Sequence, residues 1–397
     1  MSAFAMTLER NPVSDSARVS APEQGEQGAG SLAKAPARVM IAGGGTGGHL
    51  FPGVALAEQV VAAGGEVCFV GTERGIEARV IPELGYALEQ IEVSGIKGRG
   101  VKGLLAGLAR LPKAWLQSRR IIRDFRPDVV VGVGGYASGP IVATAAMMGY
   151  KTAILEQNSV PGVTNRILSR LVRRVFATFP DEGGYFPARK VVLAGNPIRA
   201  ELLTRLEQAK ASAAAGEHGP RLFVFGGSQG ARALNNALIE AAAALAEALP
   251  GLEIWHQTGK AELERVREGY AAAGLSEPRV RVVSFIKDMS EPYAWCDLVV
   301  CRAGATSLAE LAAVGCPALL IPFPHATDDH QTHNARALVE VGAATLVPES
   351  QLDQARLLAE VTGLMGDAAR LTEMRARMLE AARPHAAAEI CAALSTL

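Results

Sequence analysis

A chain of 397 residues, 49% apolar and 20% charged, is long enough for two or three domains and apolar enough to fill a core in each. Its 40 basic and 40 acidic residues cancel, so total charge does not suggest a nucleic-acid partner. The five cysteines are odd in number, form no C-x-x-C pair and lie mostly among apolar residues, which predicts reduced core side chains rather than a disulfide framework.

Residues 1–37 lack the basic start and apolar core of a secretory signal, and residues 11–36 are rich in Ser, Ala, Gly, Gln, Glu and Pro. A disordered leader is expected there. No apolar run reaches the roughly 18 residues that a membrane-spanning helix needs, so a cytoplasmic protein is expected.

From Val39 onward, short β-rich runs alternate with helical patterns, the signature of parallel sheets covered by crossover helices. The first set of strands falls at 39–42, 66–70, 88–93, 128–133, 152–155, 174–177 and 191–193, and predicts one doubly wound domain over 38–196. Residues 204–220 read as a linker or an exposed helix and loop. A second set opens at Arg221 and continues at 252–256, 280–284, 298–301, 318–322 and 344–347, a second doubly wound domain over 197–383. Residues 351–397 read as helical with Pro384 as the one break, and the last helix, about 384–397, is expected to cross back onto the first domain. Sites in such sheets lie at the carboxyl ends of strands, so two facing domains place a cleft between their loops.

Gly43-Gly-Gly-Thr-Gly-Gly-His-Leu-Phe-Pro-Gly53 follows the first strand and predicts a tight turn into a helix start, a setting that attracts anions. Alone it fits two readings. Gly43, Gly45 and Gly48 match the dinucleotide fingerprint, with Glu73 as a poor candidate for its acidic partner. Phe225-Gly-Gly-Ser-Gln-Gly-Ala231 repeats the same physics at the head of the second domain, with Ser228 and Gln229 beside the freed backbone, and predicts a diphosphate seat or a plain turn.

Val300-Cys-Arg-Ala-Gly-Ala-Thr-Ser-Leu-Ala-Glu310 is a third strand, loop and helix unit. Glu310 there can accept both hydroxyls of a ribose or simply complement the helix dipole. Residues 322–334 gather polar side chains, and His325, His330 and His333 raise a zinc site. No cysteine or H-E-x-x-H companion accompanies them, and Gln331 and Asn334 suit a sugar better. Gly132-Val-Gly-Gly-Tyr-Ala-Ser-Gly-Pro140 and Glu156-Gln-Asn-Ser-Val-Pro-Gly162 point into the first domain's crevice, or satisfy backbone groups there. Between 97 and 123, eight Lys or Arg alternate at helical spacing with Val101, Leu104, Leu105, Leu108, Leu111, Trp115 and Leu116. That pattern suits an anionic membrane surface, or an ordinary helix packed on the sheet.

Together these segments resemble the MurG family of bacterial transferases, which move N-acetylglucosamine from UDP-N-acetylglucosamine to lipid I in peptidoglycan synthesis. The matching stretches are 43–53, 134–140, 156–158, 195–199, 226–231, 285–286, 301–310 and 328–334, in order along the chain. The resemblance implies the two-domain GT-B fold and an inverting transfer that forms a β-1,4 linkage; no D-x-D carboxylate pair appears in the sequence, so a reaction without metal or cofactor is expected. The resemblance places Thr46, Gly47, Gly48, Asn158, Arg199, Ser228, Ile286, the segment Ala305, Thr306, Ser307, Leu308, Ala309 and Glu310, and Gln331 around the nucleotide sugar. Within that set Ile286 backbone groups would read uracil, Glu310 hold the ribose, Ser228 and its turn the diphosphate, and Gln331 the sugar. Tyr136, Glu156, Gln229, Arg302 and Asn334 complete the expected binding set, and His49 and Glu310 are the expected catalytic pair, with His49 as the base. The expected partners are UDP-N-acetylglucosamine, polyprenyl-linked lipid I and an anionic membrane surface on the cytoplasmic face, with no nucleic acid. The rival enzyme is another GT-B transferase using a UDP-sugar, and a rival of a different class is a dinucleotide-binding oxidoreductase.

Overall fold

The computed structural model describes residues 36–93, 100–212, 218–227 and 229–397, with residues 100–111, 210 and 212 described by backbone alone. Most of the expected leader, 1–35, therefore lies outside the described residues. So do Lys97 and Arg99 of the basic segment, and Ser228.

Among these residues, strands form at each of the thirteen positions read from the sequence, in two wholly parallel sheets. The first contains β1 (Arg38–Ala42), β2 (Glu66–Gly71), β3 (Ala87–Gln90), β4 (Val129–Gly132), β5 (Lys151–Glu156), β6 (Arg174–Ala177) and β7 (Val191–Leu193), in the order β3-β2-β1-β4-β5-β6-β7. The second contains β8 (Arg221–Phe225), β9 (Glu253–Gln257), β10 (Val280–Val283), β11 (Leu298–Cys301), β12 (Ala318–Leu320) and β13 (Ala344–Leu346), in the order β10-β9-β8-β11-β12-β13. Strand β3 stops three residues short of the expected Val93. Its partner β2 ends at Gly71, opposite Gln90, so only Ile91 finds one further carbonyl there.

Both faces of each sheet are covered, which is why these strands read as continuous apolar runs. The pleat sends alternate residues to opposite cores. Val39 and Ile41 pack with Leu50, Val54 and Leu56 of the helix Gly47–Ala62, while Met40 and Ala42 pack with Ile141, Val142 and Ala145 on the other face. In the second sheet Leu222 and Val224 join one core, and Phe223 and Phe225 the other.

Two helices sort themselves by packing rather than by chain position. Ala200–Ser212 buries Leu202 and Leu206 against the second sheet. Ala386–Ser395 returns to the first, where Ile390, Cys391 and Leu394 share a core with Val39 and Ile41. The tail carries a break besides Pro384. Gln354–Met365 ends at Gly366, and Asp367 caps Ala368–Ala381 by accepting from the Arg370 amide at 2.9 Å.

Strand order reverses between β1 and β4 in one sheet and between β8 and β11 in the other. Their carboxyl ends carry the glycine turns 43–45 and 134–135 on one side, and 226–230 and 302–304 on the other. Switch points of this kind are where doubly wound sheets bind ligands.

Candidate active site

The first glycine turn is already filled by a side chain. Glu77, 1% exposed, opens the short helix Glu77–Glu83. It accepts from the Gly45 amide at 2.7 Å, the Thr72 amide at 2.9 Å and the Thr72 hydroxyl at 2.9 Å. A Cβ on Gly44 would stand 2.4 Å from that carboxylate, so the fit requires glycine. Glu73, the candidate acid of the dinucleotide reading, is exposed. A carboxylate thus bonds the turn where a dinucleotide would place its pyrophosphate, which weighs against that reading.

His49 leaves this turn in the first turn of the helix Gly47–Ala62, half-buried. Its Nδ1 lies 3.0 Å from Gln157 Oε1, and Gln157 Nε2 donates to the Val133 carbonyl at 3.2 Å. Gly134 lets the ring approach: a Cβ there would sit 2.7 Å from Nδ1. Next to Gln157, the buried Glu156 accepts from the Asn158 amide (3.0 Å), the Gly162 amide (3.3 Å) and Asn165 Nδ2 (2.8 Å). Burial pushes its carboxyl up, against those hydrogen bonds and the pull of His49.

The two sheets meet at these loops. Thr306 Oγ1 donates to the Gly48 carbonyl at 3.2 Å and receives Asn196 Nδ2 at 3.3 Å. Asn334, fully buried, accepts from the Ser159 amide at 2.9 Å and hydroxyl at 3.0 Å, and donates to Asn158 Oδ1 at 3.2 Å. The expected sugar ligand Asn334 therefore serves as a bridge between the halves. Arg199 lies over the Phe51 ring at 5.1 Å and pulls electrostatically on Glu310.

Glu310 sits in the helix Ala305–Val314 and accepts from the Tyr293 hydroxyl at 3.2 Å. Burial pushes its carboxyl up to about 7, with Arg199 and the Tyr293 bond opposing. Burial also raises Tyr293, so its hydroxyl keeps the proton it donates. Gln331 opens the helix His330–Glu340 and accepts from the Phe323 amide at 2.9 Å. Asp328 and Asp329, just before it, adopt left-handed φ of 53° and 52°, a local strain typical of ligand loops. Arg302 is turned away to other work: it pairs with Glu349 and donates to the Ile321 and Pro322 carbonyls at 3.1 Å each, tying down the end of β12.

The remaining expected residues are scattered around this seam. Thr46 is the exposed N-cap residue of its helix, and Tyr136 is 60% exposed. Gly47 approaches the Phe51 ring, and Ser307 is half-buried. Ala305, Leu308 and Ala309 line a cavity of about 140 Å³ with Asn196, Ile198 and Arg383, so that helix turns these side chains toward the junction of the halves. Ile286 packs on the second core, and Gln229 is exposed on its turn. The turn itself is held from below by Gln257 Nε2, which donates to the Gly227 carbonyl at 3.1 Å. Beside it, buried His256 bonds Tyr270 and Asn235 at 3.0 and 3.1 Å, and burial pulls its imidazole down to about 3, keeping it neutral.

Residues 39–177 match the N-terminal domain, and residues 221–390 the C-terminal domain, of glycosyltransferase family 28. A protein of Anaeromyxobacter dehalogenans is 52% identical over 89% of this chain and 91% of its own length. One of Myxococcus xanthus is likewise 52% identical, over 89% and 91%. Both are named UDP-N-acetylglucosamine–N-acetylmuramyl-(pentapeptide) pyrophosphoryl-undecaprenol N-acetylglucosamine transferase. The crystal structure of Acinetobacter baumannii MurG superposes with a TM-score of 0.74 at 32% identity, covering 91% of this chain and all of that one. The chain belongs to the MurG branch of glycosyltransferase family 28. Its two sheets are the two halves of the GT-B fold.

For a family 28 chain, sequence reasoning missed Glu77, Gln157 and Tyr293 as members of the site. Glu77 carried a signal, an acid within reach of the second strand's end, but Glu73 drew it. Gln157 lay inside the polar cluster without distinguishing itself. Tyr293 reads as one more aromatic of the second core, where it also packs on Phe223 and Phe225.

If Glu310 receives the ribose, as the resemblance implies, a carboxyl near 7 would make donor binding pH-sensitive: a carboxylate accepts two hydroxyls best when ionised, so the Michaelis constant for a UDP-sugar is expected to rise as pH falls from about 8 to about 6. Glu310→Gln should raise that constant about 10-fold at the upper pH and flatten the profile. Steady-state kinetics on both proteins checks this, and an unchanged constant removes Glu310 from the ribose.

Proposed function

We propose that this chain transfers N-acetylglucosamine from UDP-N-acetylglucosamine to the 4-hydroxyl of the N-acetylmuramyl unit of lipid I, with inversion. The observation that carries the reading is the seam where Thr306 bonds Gly48, because it brings the residue before His49 against the helix that bears Glu310. His49 removes the proton as the 4-oxygen attacks the anomeric carbon in line, and the bond to UDP breaks with its electron pair leaving on the diphosphate. Backbone amides of the turn 226–231, the helix start after it and Arg199 take up that charge. The first turn is a poorer diphosphate seat, since Glu77 already holds the Gly45 amide. Glu310 receives the ribose, Ile286 backbone groups read uracil, and Gln331 holds the sugar. Thr46, Gly47 and Gly48 meet donor and acceptor near the reacting carbon, Asn158 borders the nucleotide sugar, and the loops 134–140, with Tyr136, and 156–158, with Glu156, form the acceptor side.

The test is incubation with radiolabelled UDP-N-acetylglucosamine and a short-chain lipid I analogue. A β-1,4-linked disaccharide product and free UDP are expected. Donor hydrolysis without transfer, or thermal stabilisation by NADH and not by UDP-N-acetylglucosamine, overturns the assignment.

The acceptor's polyprenyl tail stays in the bilayer, so the first domain is proposed to dock on the cytoplasmic face of the plasma membrane. Among the described residues no helix is long and apolar enough to cross a membrane. The helix Gly100–Phe125 buries Ala114, Ser118, Ile121 and Ile122 inward, leaving Trp115 and Leu116 outward, 39% and 58% exposed. Arg119 stacks over Trp115 at 5.5 Å, and Lys113 pairs with Glu92 at 2.7 Å. Val163, Ile167 and Leu171 add a further exposed apolar row beside Arg166 and Arg170. Changing Lys113 and Arg119 to Ser with Trp115 to Ala should lower partitioning onto anionic vesicles about 10-fold or more. Unaltered co-sedimentation of that triple variant would count against this docking face.

A further inference from the structure

We propose that Gln157 is a positioning residue that holds His49 in the Nδ1–H tautomer, so that Nε2 carries the lone pair. The inference deepens the function proposed above and rests on it only where it concerns turnover.

The geometry fixes both partners. Gln157 is 2% exposed at the end of β5, where its amide cannot reorient into solvent. Its Nε2 donates to the Val133 carbonyl at 3.2 Å, and a carbonyl can only accept. The amide oxygen is therefore the atom at 3.0 Å from His49 Nδ1, and a bond between them requires the proton to sit on Nδ1. The atoms of the ring nearest to Gly134 are Nδ1, Cε1 and Cγ, so that edge is turned into the loop. Among the described residues Nε2 has no hydrogen-bond partner, and His49 remains half-exposed beside the interdomain seam. A general base needs an unprotonated nitrogen facing its substrate, and which nitrogen that is depends on the bond the other one makes. The chain Val133 carbonyl, Gln157 amide, His49 ring does for this histidine what an orienting carboxylate does in hydrolytic triads, but with a neutral group.

The neutral orienter distinguishes this arrangement from simple packing. Gln157→Glu still offers an acceptor to Nδ1, whereas Gln157→Met matches the length of the side chain and offers none. Long-range proton–nitrogen correlation spectra of uniformly labelled protein, with His49 assigned by comparison with His49→Gln, report the tautomer directly. The native protein and Gln157→Glu are expected to show an Nδ1-protonated His49, and Gln157→Met a mixture or the Nε2-protonated form. In Gln157→Met, kcat should fall about 10-fold or more while the Michaelis constant for UDP-N-acetylglucosamine stays within about twofold. An Nε2-protonated His49 in the native protein, or an unchanged tautomer in Gln157→Met, overturns the proposal. A tautomer that shifts as expected while kcat holds supports the positioning by Gln157 and overturns instead the role of His49 as base. Retained thermal stabilisation by UDP-N-acetylglucosamine shows that each variant is folded.

Discussion

His49→Ala is expected to lower kcat by about 10²–10⁴-fold while the Michaelis constant for UDP-N-acetylglucosamine moves little. The asymmetry follows from where the side chain stands. His49 leaves the turn between β1 and its helix on the first-domain wall, held by Gln157, whereas the groups proposed to bind the donor, Glu310, Gln331 and the turn 226–231, come from the second sheet. In the proposed transfer, removing the imidazole takes away a proton acceptor needed only once the 4-hydroxyl attacks. Steady-state kinetics with a soluble acceptor analogue separates the two constants. Equal losses in both would mean that His49 shapes the donor site, and the base would have to be sought elsewhere.

The second large effect is expected on stability. Glu77→Ala leaves the Gly45 amide, the Thr72 amide and the Thr72 hydroxyl without their acceptor in a site where the carboxylate is 1% exposed. An unsatisfied buried donor costs about 1–3 kcal/mol, so with water re-entering part of the space the loss should be about 3 kcal/mol or more. Denaturant unfolding measures it. Because the same carboxylate fixes the turn that leads into His49, turnover should fall too, even at temperatures where the variant stays folded. Glu77→Gln retains one acceptor oxygen and should lose less of both. A Glu77→Ala protein with native stability would show that the turn holds its shape without the carboxylate.

These two residues mark how far the sequence can be read. His49 was visible because it ends a glycine turn after an apolar strand, a local pattern with a local cause. Glu77 was not, since the Gly45 amide that donates to it lies 32 positions away, and only the pairing of β1 beside β2 brings them together. Gln157 meets His49 across 108 positions, and Ser159 meets Asn334 across 175. Asn334 and Arg302 show the protein's own use of such polar residues: Asn334, in the helix His330–Glu340, joins the two halves, and Arg302 ties the end of β12 to Glu349. Residue type announces that a polar group needs partners, and only packing decides whether those partners are the protein's own.

By itself the sequence determined the fold class and the places where function had to be sought. Apolar runs of strand length, each closed by glycine or polar residues, dictate parallel sheets buried on both faces, and such sheets expose their loops at the carboxyl ends. The order in which motifs appear along the chain carried the family. The tertiary structure decided which strands lie side by side, which groups bond across the two halves, and that Glu77 takes up the Gly45 amide of the first glycine turn. Those outcomes rest on contacts between residues far apart in the chain, where burial, shape and the need to satisfy every polar atom act together and no local pattern encodes the result.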